Sequence, residues 1–120
     1  MNFRRQAALT LVGLALWVGV VSAVGAGFRD SRHLHQHFLK HGTEFGRVSQ
    51  QQYLGLAQAL RDAPSGGRIL ELRRPDGRTC RFDRSGGAFL VFDSDGTIRT
   101  FFRPRDGERY FRRQARRSED

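Results

Sequence analysis

All four histidines of this chain, His33, His35, His37 and His41, fall between positions 33 and 41, and its only lysine, Lys40, sits among them. At 100° per residue, His33, His37, Lys40 and His41 share about a third of a helix circumference. Three readings are open for that face. It is a solvated polar surface, as most such faces are. Alternatively His33, His37 and His41, at successive i,i+4 spacings, hold a metal two ligands at a time, although no flanking carboxylate pattern completes the set. The third reading is acid/base chemistry. His41 lies beside Leu34 and Phe38 at the border of the apolar stripe, where partial desolvation keeps an imidazole neutral near pH 7, and the neighbouring Lys40 cation pushes the same way. The ammonium of Lys40 suits a phosphate or a developing charge, in a chain whose other 20 cations are all arginine.

A second group lies late in the chain. In a strand over 97–103, simple alternation puts Ile98, Thr100 and Phe102 on one side and Arg99, Phe101 and Arg103 on the other. Thr100 then orients a phosphate and Phe102 stacks on a base, as in readers of single-stranded nucleic acid. Equally, Phe102 is core by residue type. In the strand over 78–83, Arg81 alternates with Cys80 and Phe82 and projects toward whatever covers the polar side, or closes a surface salt bridge.

The elements that must position these groups read as follows. Leu34, Phe38 and Phe45 recur at helical spacing, Asp30 or Ser31 caps the start, and Gly42 ends the run in a left-handed conformation, which predicts a helix over 31–41. Ser49 and Gln52 form a capping-box pattern ahead of Tyr53, Leu54, Ala57 and Leu60, which predicts a second helix over 50–61. Ala63-Pro64-Ser65-Gly66-Gly67 stops it. Four short alternating runs follow, 68–73, 78–83, 88–93 and 97–103, separated by Pro75-Asp76-Gly77, Ser85-Gly86-Gly87 and Ser94-Asp95-Gly96. The expected fold class is α+β: two N-terminal helices packed on one face of a four-stranded antiparallel sheet, preceded by a hydrophobic signal or anchor helix. Pro104 ends the last strand, and the arginine-rich remainder is a short helix or a disordered arm, so that 112–120 reads as a basic tail.

Composition bounds the rest. The chain has 120 residues, a formal charge of +9 and one cysteine, Cys80, so neither an internal disulfide nor a cysteine-based zinc site can staple it. One small domain with its own core is the expectation, at 31–111. The excess charge favours a polyanionic partner, nucleic acid or anionic lipid. No charged residue occurs between Arg5 and Arg29. Segment 1–26 therefore reads as a signal peptide cleaved after Ala23 or Ala26, or as a membrane anchor through residues 7–26. Either places the basic domain outside the cytoplasm, secreted or periplasmic, or tethered to the inner membrane.

The string His37-Phe38-Leu39-Lys40-His41-Gly42-Thr43-Glu44-Phe45-Gly46, then Tyr53-Leu54 with Ala57, and finally residues 95–104 resemble the colicin D-like ribonuclease toxins. Similar domains end many contact-dependent inhibition toxins and belong to the barnase, EndoU, colicin and RelE-like fold group. The resemblance spans about residues 33–111 and is most specific in the Lys-His-Gly-x-x-Phe-Gly segment. It implies a site built from Lys40, His41, Thr100 and Phe102, with Thr where the family has Ser and Phe where it has Trp. It implies a metal-independent endoribonuclease without cofactor that cuts RNA, tRNA first, and an immunity protein as a partner. His41 would take the 2′-OH proton, Lys40 with Arg81 would stabilise the phosphorane, and His37 would protonate the leaving oxygen or line the groove with Arg103. The competing expectation is a non-catalytic exported or membrane-tethered module that binds nucleic acid or anionic lipid.

Overall fold

A computed structural model describes residues 27–119. The segment read as a signal or anchor, 1–26, lies outside the described residues, and among those described no helix is long and apolar enough to cross a membrane.

Asp30 caps helix α1 (Ser31–His41): its carboxylate accepts from the His33 backbone N–H and from the His33 ring. A 3-10 turn (Gly42–Phe45) continues from it. Helix α2 (Gln50–Asp62) begins with the expected capping box, Ser49 and Gln52 satisfying each other's backbone N–H. The four strands β1 (Ile69–Arg73), β2 (Thr79–Asp83), β3 (Phe89–Phe92) and β4 (Ile98–Phe102) form an antiparallel meander in the order β1-β2-β3-β4. Asp76-Gly77 and Asp95-Gly96 close two of its turns: each Asp carboxylate accepts the N–H two residues on, and each glycine takes φ +89.

The sheet is covered on both faces. On one, Leu34 of α1 and Tyr53, Ala57 and Leu60 of α2 bury Ile69, Leu90, Ile98 and Phe101. Tyr53 is the hub of this side: fully buried, ringed by Phe28, Phe38, Phe45 and Phe101, its hydroxyl donates to the Phe101 carbonyl. Burial pushes its phenol well above the ordinary range, and the Glu44 charge adds to the effect. On the other face Cys80, Phe82, Phe89 and Val91 pack with Phe111 of a third helix, α3 (Glu108–Glu119). The domain is thus α+β with three helices, and the stretch read as a basic tail is helical through Glu119. Phe111 and Gln114, both buried, dock α3 on a sheet face whose apolar residues must be covered.

Two local expectations are corrected. Gly42 is right-handed (φ −56°, ψ −40°), so it carries the chain on into the 3-10 turn. Glycine is required there by proximity, since a Cβ would stand 2.7 Å from the Phe38 ring. In β4 the simple alternation fails. Val91 pairs with Thr100 but Phe92 pairs with Ile98, so Arg99 is an extra, bulged residue. Ile98 and Phe101 therefore share the α1/α2 face, while Thr100 and Phe102 turn to the α3 face.

Docking of α3 through Phe111 makes a direct prediction. Phe111→Ala should lower the unfolding free energy in urea by about 3–5 kcal/mol and remove amide exchange protection along α3. Unchanged stability would mean that α3 is an independent arm.

Candidate active site

The end of α1, the 3-10 turn and the end of β4 meet at one carboxylate. Glu44 Oε2 lies 2.7 Å from His41 Nδ1, and Glu44 Oε1 accepts the Arg103 backbone N–H at 2.8 Å. The Arg103 guanidinium reaches back to the Glu44 carbonyl at 3.1 Å. A carboxylate only accepts, so Nδ1 carries the hydrogen of this pair, and whenever the ring is neutral its lone pair is at Nε2. His41 keeps 14% of its side chain exposed, little enough to fix the ring and enough to leave an edge accessible.

Phe102 supplies the second wall. Its ring stacks on His41 at 5.2 Å between centroids and 29° between planes. Tyr110 and Phe89 meet it nearly perpendicular, at 5.3 and 5.5 Å. His37, one turn before His41, has its ring 6.3 Å from His41 and 5.0 Å from Phe28. Its Nδ1 is buried without a hydrogen-bond partner. Burial foremost, then the neighbouring His41, His33 and Lys40, push the His37 pKa below its ordinary value. The lowered pKa weakens His37 as a resident proton donor and favours its role as a wall of the site.

Lys40 is exposed beside His41 and forms no ion pair among the described residues. The structure therefore brings His37, His41, Phe102 and Arg103 to one junction, with Lys40 the exposed residue just before His41. Thr100 lies close by rather than in contact: it shares the α3 face with Phe102, about 7 Å back along the strand, and makes no hydrogen bond to His41 or Lys40. Arg81 is elsewhere. It points into the α1/α2 face, bonds Glu71 at 2.9 Å, and donates to the Leu60 and Ala63 carbonyls that end α2. With 11% of its side chain exposed and its ring-facing side 5.8 Å from Phe92, it is a buried helix cap, and the role of phosphate helper does not fit its position. An open groove of about 370 Å³ beside α2 reaches the junction only through Arg103, and neither Lys40 nor His41 lines it.

Glu44 is the member that residue-type reasoning left out. Its signal was in the sequence: an acid three residues after a helix-terminal histidine, within Lys-His-Gly-x-x-Phe-Gly, is positioned by the turn that Gly42 permits. Of the histidines, His33 is taken up by Asp30 and His35 by Gln50. Among the described residues no group of three His, Cys, Asp or Glu side chains converges with metal-ligand geometry. No protein-family model matches the chain, and no curated protein matches it significantly.

Two outcomes follow from this geometry. Nitrogen-15 spectra of His41 should show the neutral ring protonated at Nδ1, and Glu44→Ala should redistribute that proton between the ring nitrogens. For His37, whose folded pKa lies below the unfolded 6.5, the unfolded chain binds the extra proton. Its contribution to stability is therefore complete above pH 6.5 and lost as pH falls through the folded value. The melting temperature should drop between pH 7 and pH 5, and His37→Phe, which keeps the packing on Phe28, should flatten that slope.

Proposed function

We propose that the domain is a metal-independent endoribonuclease of the colicin D-like kind, within the barnase, EndoU, colicin and RelE-like fold group. The observation that carries the reading is the arrangement at His41: a carboxylate holds the imidazole by Nδ1, an aromatic ring lies flat against it, and a free ammonium stands at the adjacent residue. A base of this kind with a cation beside it suits the first step of intramolecular RNA cleavage. The resemblance in the Lys-His-Gly-x-x-Phe-Gly segment supports the same reading.

In the proposed reaction His41 Nε2 accepts the proton of a ribose 2′-OH, and the 2′-oxygen attacks the adjacent phosphorus. The bond from phosphorus to the 5′-oxygen breaks, and that oxygen takes up a proton from the imidazolium or from water. The products are a 2′,3′-cyclic phosphate and a 5′-hydroxyl. Lys40 stabilises the charge that develops on the phosphorane oxygens, an electrostatic contribution that is usually the largest in such catalysis. Phe102 seats a neighbouring base where its exposed edge continues the His41 stack, and Arg103 adds positive charge at the mouth. Thr100, on the same face, holds a phosphate oxygen once substrate spans the strand. The apolar run at 7–26 supports action outside the cytoplasm or at the inner membrane, and a toxin of this kind would be matched by an immunity protein in the producing cell.

The test uses the purified protein, total tRNA and EDTA, with end-group analysis of the products. Cleavage to 2′,3′-cyclic phosphate ends is expected in the presence of chelator. His41→Ala should lower kcat by about 10²–10⁴-fold, the range of a general base. Phe102→Ala should lower kcat as well as raise KM, because the ring backs the His41 imidazole and also contacts a neighbouring base, a contact worth about 1–3 kcal/mol when fully stacked. RNA retained without cleavage by the wild-type protein would instead favour the binding module, and a His41→Ala rate equal to wild type would sink the mechanism.

A further inference from the structure

Helix α3 leaves a surface that the fold does not use. Its buried side is Phe111 and Gln114, with Tyr110 and Ala115 at the margins. The positions that face outward, 109, 112, 113, 116 and 117, are all arginine and all exposed. Arg112 is paired with Glu108 and Arg113 with Asp106. Arg109, Arg116 and Arg117 have no acidic partner among the described residues, and neither has Arg105 just before the helix. Self-repulsion along such a stripe is unfavourable unless a polyanion relieves it.

The stripe is continuous with the His41 junction. The Arg113 guanidinium lies 5.7 Å from the Tyr110 ring centroid, Tyr110 meets Phe102 edge-on, and Phe102 stacks on His41. A path of cation and ring contacts thus runs from the outer face of α3 to the imidazole. Beyond the helix, Arg117 and Arg74 border an open groove of about 540 Å³. At 1.5 Å per residue the 12-residue helix is about 18 Å long, enough to follow several consecutive phosphates of one strand.

We propose that the outer arginine face of α3 is an exosite for the RNA phosphate backbone, holding the strand that flanks the scissile phosphate. Naming RNA rests on the ribonuclease reading; the surface itself does not. Nucleic acid fits better than lipid because a helix that lies in a membrane interface inserts its apolar side, and the apolar side of α3 is occupied by the sheet. Guanidinium groups also match phosphate oxygens in a two-point geometry that lysine lacks.

The experiment measures binding of labelled tRNA to the full chain in the His41→Ala background, over 50–250 mM salt, with and without Arg109→Gln, Arg116→Gln and Arg117→Gln together. All three side chains are exposed and none is paired with an acid among the described residues, so an unchanged melting temperature is expected. The slope of log K against log salt should shrink by about 2, the loss of three phosphate contacts at about 0.7 each. Affinity at 150 mM salt should fall at least tenfold. The corresponding triple Lys variant should keep the slope and lose only part of the affinity. In the wild-type background the Gln triple should lower kcat/KM on tRNA while leaving a dinucleotide substrate unaffected. An unchanged slope and affinity in the Gln triple overturns the exosite. So does a surface that binds phosphatidylglycerol vesicles through these arginines while RNA binding is indifferent to them. If the slope shrinks but His41→Ala cleaves like wild type, the exosite stands and the mechanism at His41 falls.

Discussion

The Glu44 carboxylate ties the C-terminal end of α1 to the C-terminal end of β4, across 59 positions of sequence. One oxygen accepts a ring N–H and the other a backbone N–H, so each oxygen has a partner and the group cannot rotate without losing one of them. Hydrogen bonds to an ionised acceptor are shorter and stronger than neutral ones, and here the acid is two-thirds withdrawn from water, at 32% exposed. The consequence is rigidity where it is needed. An imidazole on the last turn of a helix would ordinarily sample several rotamers; this one is clamped by a carboxylate on one side and a phenyl ring on its face. The 3-10 turn exists to bring Glu44 back, and Gly42 allows the turn to pass over Phe38.

Arginine is used in three physically different ways in this small domain. Arg81 and Arg61 are internal: each is nearly buried and donates to carbonyls, Arg81 to those ending α2 and Arg61 to Gly96 in the β3–β4 turn. Their charge is matched by Glu71 and Asp62 respectively, which is the condition for placing a guanidinium there at all. Arg103 holds the strand end to Glu44 with its backbone and side chain together. The arginines of α3 are solvated and in part unpaired. Net charge alone cannot separate these classes, since every one of them counts equally toward +9. Burial and the identity of the acceptor separate them.

This is also why the fold was more legible than the site. The two amino-terminal helices and the four strands lie within a residue or so of the spans that capping signals and turn dipeptides indicate, because Asp30, Ser49, Asp76-Gly77 and Asp95-Gly96 act locally and their hydrogen bonds close within three residues. The closeness of His37 and His41 was legible for a similar reason, helical spacing, whereas Phe102 reaches His41 only through the bulge in β4. What was not legible depends on partners distant in sequence. Arg81 looks like any alternating strand arginine until α2 ends above it. The arginine-rich C-terminus looks solvated throughout until the second sheet face, with Phe82, Phe89 and Val91, is seen to require a cover. Glu44 gains its second bond only from Arg103.

The bulge at Arg99 decides which phenylalanine becomes core and which becomes site. With unbroken alternation from Ile98, Phe102 would enter the α1/α2 core and Phe101 would face α3. The extra residue inverts the strand beyond it. Phe101 then stacks on Phe45 at 4.5 Å and offers its carbonyl to Tyr53, while Phe102 emerges at the seam where α1 ends and α3 begins. Arg99 itself turns outward, its Nε donating to both oxygens of Asp93 at 3.0 Å at the start of the neighbouring turn. One residue thus couples the packing of the main core to the placement of the ring against His41. A change that restored regular alternation would have to give up both at once, because the two aromatic positions are adjacent and cannot exchange faces separately.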